Sequence, residues 1–259
     1  MMLTEDQIER YSRHIILQDV GGAGQEKILN AKVLIIGTGG LGAPAALYLA
    51  AAGVGTLGLI DGDAVDLSNL QRQVIHFTPD VGKDKVQSAK EKIAQINPDV
   101  TVHAIKDLFR ADNALDLIKD YDFIIDGTDN FATKFLINDA CVLGKKPFSH
   151  GGILRFDGQT MTYVPGSASY RCVFHKPPPL NAVPTCSQAG VFGAIAGMLG
   201  TIQAAEALKF IVGKGELLTN RLLIFDALSM NFRTVNVKPN EKRLAIDKLE
   251  DFEQKGCDL

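Results

Sequence analysis

Short apolar runs and amphipathic stretches alternate along the chain. Residues 33–36 are continuously apolar, and residues 123–126 read Phe-Ile-Ile-Asp. Such runs predict strands that are buried on both faces, as parallel sheets require. The stretches between them have helical periodicity, which predicts crossover helices. We therefore expect an α/β fold with a mainly parallel sheet and helices on both of its faces.

The same patterns place the other elements. Thr4 with Gln7 forms a capping box, which opens a helix predicted through Leu17, and the glycines of 21–24 predict a flexible joint after it. Further helices are predicted at 41–53, 83–96, 111–119, 131–143 and 190–212, and further strands at 59–61, 100–105 and 147–152.

The C-terminal half has a different pattern. Residues 153–164 predict a β-hairpin around Asp157-Gly158, and 221–225 with 232–237 predict a last antiparallel pair. The charged residues 241–259 predict a loosely held tail. The chain is thus expected to form one domain, 1–240, in which antiparallel strands extend the parallel sheet.

A glycine-rich turn follows the first strand directly. Gly37 to Gly42 reads GTGGLG and satisfies G-x-G-x-x-G, and a helix-like stretch comes next. Glycines let the backbone approach an anion, which the helix N-terminus attracts. Asp61 ends the second strand near the distance at which an acid binds a ribose hydroxyl. The sequence therefore predicts a Rossmann-like nucleotide site, without saying which nucleotide it binds.

Bulk composition narrows the function classes. The 259 residues are 46% hydrophobic and 22% charged, with a formal net charge of −3, which gives no bulk attraction to nucleic acid or anionic membranes. Residues 189–202 are apolar but too short to span a bilayer. The four cysteines form no C-x-x-C pair, and the N-terminus is polar and acidic. We expect a cytoplasmic protein without a disulfide framework.

Polar residues cluster in two further places. The apolar residues of the long irregular segment 62–82 argue against disorder there. This segment contains the polar residues Asn69, Gln71, Arg72 and Gln73. The strand at 123–126 is followed by the sequence GTDN at the carboxyl edge, where open α/β sheets bind ligands.

Each of these residues also has an ordinary explanation. Arg13, Arg72 and Lys85 could be solvated or ion-paired, although Lys85 in a first helical turn could also face an anion. Asp129 could be a helix N-cap, a metal ligand or both, and Asn130 could equally be that cap. The five histidines have no ligand spacing and are expected to be structural.

Several motifs occur in a characteristic order: YSRH at 11–14, GTGGLG, DGD at 61–63, SNLQRQ at 68–73, Lys85, GTDN and PTCSQAG at 184–190. In this set the chain resembles the ThiF/MoeB/HesA family, which is related to the ubiquitin-activating enzymes. The resemblance implies an ATP-dependent adenylyltransferase that acts on the C-terminal Gly-Gly carboxylate of a ubiquitin-like sulfur carrier of ThiS or MoaD type. Pyrophosphate would be released before the carrier becomes a thiocarboxylate for thiamine or molybdopterin synthesis.

The resemblance also assigns roles. It implies ATP and Mg²⁺ as cofactors, with Asp129 as the Mg²⁺ ligand, and a homodimer in which Arg13 reaches the phosphates of the other subunit. It divides the adenylation domain into an N-terminal helix at 4–18, a nucleotide-binding part at 31–150 and a C-terminal part at 151–240. The ATP-binding positions it implies are Gly39, Gly40, Leu41, Gly42, Asp61, Asp63, Asn69, Arg72, Gln73, Lys85, Thr128, Asp129 and Asn130.

The cysteines differ from the family pattern. Many members bind zinc through two C-x-x-C pairs, but residues 169–172 have one cysteine too few and only Cys257 follows Val237. We therefore predict no zinc and a crossover loop held by packing alone. Cys186 precedes a helix and is either a reactive thiol in carrier transfer or a buried small residue.

Other partners and activities stay open. No rhodanese-like extension is recognised, so we expect a separate sulfur donor of cysteine desulfurase or rhodanese type. Two alternatives use the same glycine turn: an NAD-binding oxidoreductase, and an adenylation core with another acyl substrate, such as a tRNA-base dehydratase or a peptide modifier. The absence of a basic patch in the sequence disfavours tRNA.

Overall fold

A computed structural model describes residues 3–179 and 189–252. The strands in these residues form one eight-stranded sheet in the order β3-β2-β1-β4-β5-β6-β7-β8. The strands are β1 Lys32–Ile36, β2 Thr56–Ile60, β3 Thr101–Ile105, β4 Phe123–Asp126, β5 Phe148–Leu154, β6 Asp157–Tyr163, β7 Arg221–Asp226 and β8 Asn231–Asn236. The helices are α1 Glu5–Arg10, α2 Ser12–Ile15, α3 Gly21–Asn30, α4 Gly42–Ala52, α5 Lys85–Ile96, α6 Ala114–Ile118, α7 Phe131–Leu143, α8 Tyr170–Val173, α9 Gly193–Val212 and α10 Glu241–Leu244.

The sheet has a parallel half and an antiparallel half. Strands β3, β2, β1, β4 and β5 are parallel, whereas β6, β7 and β8 extend the sheet with antiparallel pairs. In the central register Ile36 pairs with both Ile60 and Asp126, so three strands end side by side. The predicted fold class is therefore confirmed, and the segments that follow these three strands meet at one edge.

Apolar residues cover both faces of the sheet. One cluster joins β1, β2 and β4 to α3, α4, α5 and α9, with Leu49, Leu57 and Ile93 fully buried. The other joins β1, β4 and β5 to α6, α7 and α8 and includes the fully buried Ile124 and Phe135. Successive side chains of a strand point to opposite faces, so a continuously apolar strand supplies residues to both clusters.

The N-terminal region differs from its prediction in two ways. The capping box at Thr4 is present, but the helix is interrupted at Tyr11, whose side chain is buried. The glycines of 21–24 are not a flexible joint but the first turn of α3. Gly24 allows α3 to pack closely on α9, since a Cβ at this position would lie 3.3 Å from Val212 Cγ1.

The β-hairpin turns two residues earlier than predicted. Leu154 pairs with Asp157, and the two residues between them form the turn, with Arg155 at φ +55°. Gly158 is a strand residue, where a Cβ would lie 2.3 Å from the ring of Phe225. This glycine therefore makes room for an aromatic ring and does not form the turn. The other strands, and the helices α4 to α7 and α9, have boundaries within three residues of their predictions, whereas the short helix α8 was not predicted.

The predicted tail is not loosely held between residues 241 and 252. Apolar side chains of this segment, including that of Phe252, pack against the cluster around α7. Asp251 accepts a hydrogen bond from the amide of Ala111 at 2.9 Å. The expectation was wrong for these residues because the charges alternate there with apolar side chains that reach the core. Residues 253–259 lie outside the described part of the chain.

Helix α9 is longer than the apolar stretch identified in the sequence. By length and composition alone its 20 residues could cross a membrane, and half of them are buried inside the fold. The helix also contains the buried polar residues Gln203 and Glu206. Gln203 donates to the carbonyl oxygens of Asp126 and Ser149 at 2.9 and 3.0 Å. Helix α9 is thus tied to the sheet by hydrogen bonds as well as by packing.

Candidate nucleotide site at the edge of the parallel sheet

A tight glycine turn joins β1 to α4. Gly37 has φ +88°, and a Cβ at Gly42 would lie 1.9 Å from the carbonyl oxygen of Gly37, so both positions require glycine. The first helical hydrogen bond runs from the amide of Ala43 to the carbonyl of Gly39. The amides of residues 40–42 precede it and have no backbone acceptor in the described residues. They are free donors of the kind that binds phosphate.

The loop after β4 lies directly against this turn. A Cβ at Gly37 would be 3.0 Å from the carbonyl oxygen of Gly127, and one at Gly127 would be 2.6 Å from that of Gly37. The glycine turn and the GTDN loop of 127–130 therefore touch through their backbones. This contact brings residues 128–130 to the same edge as the free amides.

Asp61 and His76 hold the backbone of Thr38. The Asp61 carboxylate accepts hydrogen bonds from the Thr38 amide at 2.8 Å and from its hydroxyl at 3.0 Å. The buried His76 ring lies between the Thr38 carbonyl, 3.1 Å from Nε2, and the Ser88 hydroxyl, 2.9 Å from Nδ1. Burial lowers the pKa of His76, although the bond to Thr38 opposes this effect. We therefore assign a neutral ring that donates through Nε2.

The long segment after β2 reaches back over the glycine turn. The half-buried Arg72 side chain places Cγ and Cδ 3.5 Å from the Cβ position of Gly40, and its Nη1 donates to the Ser68 carbonyl at 3.0 Å. Gln73 is buried beside Gly39, and its Oε1 has no hydrogen-bond partner among the described residues. An unpaired buried acceptor is costly, which fits a position that a donor group of a ligand completes.

Asn69 shapes this segment from within. Its side chain accepts from the Asp66 amide at 3.3 Å, and its carbonyl accepts from the amides of Arg72 and Gln73 at 3.0 Å each. The observed bonds therefore give Asn69 a supporting role in the turn that presents Arg72 and Gln73.

Lys85 is buried and belongs to the first turn of α5. Its Nζ donates to Asp63 Oδ2 at 2.8 Å, with the Lys85 side chain 8% exposed and the Asp63 side chain 69% exposed. The sequence left open whether Lys85 is solvated or faces an anion, and its partner is this exposed carboxylate. The pair places a cation inside the protein and a carboxylate at the surface above it.

The structure decides which residue caps α7. Asn130 Oδ1 accepts from the amide of Thr133 at 2.8 Å, so Asn130 is the N-cap. Asp129 is exposed and has no hydrogen bond or ion pair within residues 3–179 and 189–252. The carboxylate that could have been the cap is therefore available for another partner.

The sequence-based reasoning missed a buried ionic cluster beneath this loop. Asp126 is 1% exposed, and Lys134 Nζ lies 3.2 and 3.0 Å from its two carboxylate oxygens. His150 Nδ1 is 2.9 Å from Asp126 Oδ2. Burial raises the pKa of Asp126, but the charge of Lys134 and the hydrogen bonds from His150 and Thr128 outweigh it and leave the pKa at about 2.

A signal for this cluster is present in the sequence. Asp126 ends a buried strand, and Lys134 follows eight residues later within an apolar helical stretch. Neither charge could reach solvent easily, and buried charges in proteins are paired. A search for opposite charges in adjacent buried elements would have predicted an ion pair between Asp126 and Lys134.

A comparison with protein-family models matches the ThiF family over residues 11–245. The chain belongs to the ThiF family. This result confirms the resemblance recognised in the motifs, and the matched range includes both the glycine turn and the GTDN loop of the ThiF domain.

Several similar proteins are named for an enzymatic activity. The chain is 48% identical to the probable adenylyltransferase/sulfurtransferase MoeZ of Mycobacterium tuberculosis, over 97% of this chain and 66% of that protein. It is 44% identical to the sulfur carrier protein adenylyltransferase of Thermus thermophilus, over 93% and 92% of the two chains. It is 42% identical to the SAMP-activating enzyme E1 of Haloferax volcanii, over 98% and 96%. The chain therefore spans about two thirds of MoeZ and nearly all of the other two.

A solved structure has the same fold. The crystal structure of Escherichia coli MccB with AMPCPP and MccA superposes with a TM-score of 0.76 at 26% sequence identity, covering 89% of this chain and 72% of MccB. The ThiF domain thus shares its architecture with a protein that has been crystallised with a nucleotide analogue.

Arg13 of this ThiF domain lies far from its own glycine turn. It is exposed on α2, next to His14, whose Nδ1 is 3.0 Å from Gln25 Oε1. Gln25 Nε2 donates to the carbonyl of Ala52 at 2.9 Å, so α2 is attached near the C-terminus of α4. The 11 residues of α4 span about 16 Å, and the glycine turn is at the other end. The structure therefore does not bring Arg13 to the other candidate residues within one chain.

The region of the first zinc pair holds an arginine ion pair instead. Arg171 of α8 donates to both carboxylate oxygens of Asp139 at 2.5 and 2.7 Å. Its guanidinium lies 5.0 Å from the ring centroid of Phe135 and 5.5 Å from that of Phe252. The expectation that packing alone holds the crossover segment is therefore wrong for α8, because an ion pair ties it to α7 and aromatic contacts tie it to residue 252.

The thiols in the described residues do not fit a four-thiolate zinc site. Cys172 Sγ is 3.9 Å from the Ser169 hydroxyl, and Cys141 is buried elsewhere. No group of three His, Cys, Asp or Glu side chains in residues 3–179 and 189–252 could hold a metal ion. Cys186 and Cys257 lie outside the described residues, so both choices for Cys186 stay open.

Proposed function

We propose that this chain uses ATP to adenylylate the C-terminal Gly-Gly carboxylate of a ubiquitin-like sulfur carrier and releases pyrophosphate. The observation that carries the proposal is the contact between Gly37 and Gly127, which joins the free amides, with Arg72 beside them, to the loop bearing the unpaired Asp129. ThiF-family membership and the names of relatives at 42–48% identity support it.

The chemistry needs positioning and charge neutralisation more than proton transfer. A protein's terminal carboxylate is ionised at neutral pH and attacks the α-phosphate without a general base. What remains is in-line alignment and stabilisation of negative charge on the phosphoryl oxygens. The amides of 40–42 bind the phosphates, and Arg72, which lies beside Gly40, and Lys85 supply positive charge. This division of roles explains why the proposed site contains cations without a Ser-His-Asp arrangement.

The nucleoside end of ATP is assigned to Asp61 and Gln73. Asp61 already fixes Thr38, and its carboxylate retains lone pairs for a ribose hydroxyl. The unpaired Oε1 of Gln73 accepts a hydrogen bond from the nucleotide, which removes the cost of leaving it unsatisfied. Asn69 supports Arg72 and Gln73 from the turn behind them.

A Mg²⁺ ion fits the residues at the phosphate end. Magnesium is usually bound in proteins through one or two carboxylates together with substrate phosphates and water. Asp129 is an exposed carboxylate without a partner in the described residues, and Asn130 relieves it of capping α7. Asp129 would hold the ion, which neutralises phosphate charge when bound. Thr128 fixes the backbone next to it.

We propose that the active unit is a homodimer in which Arg13 serves the partner's site. The position of Arg13 beyond the far end of α4 supports an action between subunits. The same side of the molecule has exposed apolar side chains at Ile16, Leu17 and Tyr48, which are 68%, 52% and 57% exposed. Exposed apolar residues of this size are typical of protein interfaces. Dimer formation would cover them.

The pathway around the reaction is also part of the proposal. The carrier is of ThiS or MoaD type and serves thiamine or molybdopterin synthesis in the cytoplasm. A separate cysteine desulfurase or rhodanese then supplies the sulfur. Cys186 is not needed for adenylation, because formation of the acyl-adenylate requires no thiol.

A second candidate substrate is an acyl group other than a ubiquitin-like carrier. The structural similarity to MccB, which has been crystallised with AMPCPP and MccA, favours this candidate over the NAD-dependent and tRNA alternatives. It remains second because the relatives at 42% and 44% identity, which match nearly the whole chain, are named for sulfur carriers and SAMP activation.

Exchange of labelled pyrophosphate into ATP tests the proposal. Purified protein with Mg²⁺ should catalyse exchange with a ThiS- or MoaD-type carrier, but not with the same carrier lacking its two C-terminal glycines. Asp129→Ala should abolish the exchange, whereas Asp116→Ala, in an exposed pair with Lys119, should not affect it. Full-rate exchange by Asp129→Ala would refute the metal assignment. Exchange with MccA and not with either carrier would favour the second candidate.

A further inference from the structure

Lys134 links three parts of the fold through a single buried ammonium group. Its Nζ donates to the Asp126 carboxylate, to the Thr128 carbonyl at 2.7 Å and to the Gly151 carbonyl at 2.5 Å. These partners belong to the end of β4, to the GTDN loop and to β5. The Lys134 side chain is only 7% exposed, so it has little access to water.

Asp126 completes the hold on the same loop. Its Oδ1 accepts from the amide of Thr128 at 3.1 Å and from the Thr128 hydroxyl at 2.6 Å. The backbone and side chain of Thr128 are thus bonded to both members of the Asp126–Lys134 pair. Asp129 is the next residue, and Asn130 begins α7 by capping Thr133. The conformation at Asp129 is therefore determined from both sides.

The charges of this cluster cancel locally. Asp126 is negative, Lys134 is positive, and burial lowers the pKa of His150 so that its ring is neutral near pH 7. The groups that face Asp126 from the packed elements are Lys134 on α7, His150 on β5 and Thr128 on the loop. A neutral cluster contributes little long-range field at the phosphates. Its effect on the site is therefore the geometry of the loop.

We infer that Lys134, paired with Asp126, is a positioning residue that aims the Asp129 carboxylate at the metal–phosphate end of the site. This inference rests on the proposed function for the identity of the ion. It assigns to α7 a second task besides forming the core, which is to fix the loop that precedes it. Lys134 touches neither nucleotide nor ion in this arrangement and acts through Thr128.

The test compares three variants. Lys134→Met leaves Asp126 buried without its partner, so this variant can fail to fold. The double variant Asp126→Asn with Lys134→Met removes both charges together and should fold, but it no longer holds the Thr128 carbonyl. Lys134→Arg keeps a positive donor and should rescue binding. ATP binding is measured by calorimetry without carrier at a series of Mg²⁺ concentrations.

The double variant should need roughly 10- to 100-fold more Mg²⁺ for half-maximal ATP binding, the range typical for loss of groups that orient a metal ligand. Lys134→Arg should remain near the wild type. The matched control is Asp139→Asn with Arg171→Met, which removes another buried ion pair of the same helix away from the loop. An unchanged Mg²⁺ requirement in the folded double variant would overturn the inference. So would an equal shift in the control.

Amide hydrogen exchange separates this inference from the proposed function. In the protein without nucleotide, the amide of Thr128, which donates to Asp126, should exchange faster in the double variant than in the wild type or the control. A wild type that exchanges no pyrophosphate with any carrier would refute the proposed function. Unchanged protection of the Thr128 amide would refute the role of Lys134 in either case.

Discussion

His76 donates through Nε2 to the carbonyl oxygen of Thr38 at 3.1 Å, and this bond joins the long segment after β2 to the glycine turn. The other ring nitrogen is 2.9 Å from the hydroxyl of Ser88 on α5. One buried neutral ring therefore connects the turn, the segment with Arg72 and Gln73, and the helix that begins with Lys85. A histidine expected to be structural thus supports three parts of the candidate site.

Replacing this ring should loosen the turn. His76→Ala leaves the buried Thr38 carbonyl without this donor, and the free energy of unfolding should fall by about 1–3 kcal/mol. ATP affinity should fall as well, because the turn is less rigid. Urea unfolding and calorimetric ATP binding measure the two effects. His103→Ala, which affects an exposed histidine on β3, is the control and should leave ATP affinity unchanged.

Stability should decrease in mildly acidic solution. Burial lowers the pKa of both His76 and His150 below the usual 6.5, against opposing bonds to Thr38 and Asp126. Below pH 6.5 the unfolded chain therefore binds protons that the folded chain does not. The free energy of unfolding consequently decreases as the pH is lowered. Urea midpoints between pH 8 and pH 5 measure this change. Midpoints that stay constant over this range would contradict the buried neutral state of both rings.

The free energy of unfolding should decrease further at lower pH, because two buried carboxylates become protonated. Burial raises the pKa of Asp80 and Asp126, but Lys92 and Lys134, respectively, outweigh it, and both values are about 2 against the usual 3.8. Stability from these carboxylates is present above pH 3.8 and is lost as the pH falls toward 2. Acid titration followed by circular dichroism should show it. In the double variant Asp126→Asn with Lys134→Met this second loss should be smaller.

The glycine turn should not tolerate a methyl group. Gly42→Ala would place Cβ 1.9 Å from the Gly37 carbonyl oxygen, so the backbone must shift and the free amides must move with it. We expect ATP binding and pyrophosphate exchange to be lost. Gly197→Ala is the matched control, since α9 leaves open space at that position, and it should stabilise the helix by about 1 kcal/mol. Wild-type ATP affinity in Gly42→Ala would refute the phosphate assignment.

Mixed dimers should recover activity if the sites are shared. Arg13→Ala and Asp129→Ala are each expected to be inactive as homodimers. A heterodimer combines one intact Arg13 with one intact Asp129 at the same site, so up to half of the wild-type sites can work. Differently tagged subunits purified as heterodimers measure the recovered exchange rate. Heterodimers as inactive as the parents would contradict the action of Arg13 between subunits.

The Arg171 ion pair should stabilise the C-terminal segment. Arg171→Met leaves Asp139 buried without its partner and removes the stacking on Phe252, and the free energy of unfolding should fall by about 3 kcal/mol. Limited proteolysis should then cut sooner within residues 241–252. Lys119→Met, which breaks an exposed pair with Asp116, should cost less than about 1 kcal/mol.

Chelation tests the absence of structural zinc separately. The unfolding midpoint of the wild type should be the same with and without EDTA, because the sequence has no C-x-x-C pair and α8 is held by the ion pair of Arg171 with Asp139. A midpoint that falls with EDTA and recovers with zinc would refute that prediction.

Local patterns predicted the parallel half of the fold well and the antiparallel half less well. The strands around Leu34 and Ile124 contain the uninterrupted apolar runs 33–36 and 123–125, a pattern that depends on the strand alone. Gly158 was placed in a turn because Asp-Gly is a common hairpin signal. Its actual role depends on the ring of Phe225, 67 residues away, which no local pattern reveals. The prediction of a flexible joint at the glycines of 21–24 was wrong for the same reason, because Gly24 packs against the distant residue Val212.

The candidate site shows the same division between local and distant information. The order of the motifs identified the ThiF family and the residue types, since Arg72, Lys85 and Asp129 can be recognised by their neighbours in the sequence. Only the tertiary structure decided that Asn130 and not Asp129 caps α7, that Lys85 pairs with Asp63, and that Lys134 lies under the GTDN loop. The sequence by itself thus determined which chemistry is available, because a strand, a glycine turn and a helix start are encoded in consecutive residues. Which charges are paired, and which carboxylate remains free, depends on contacts between residues that only the folded chain brings together.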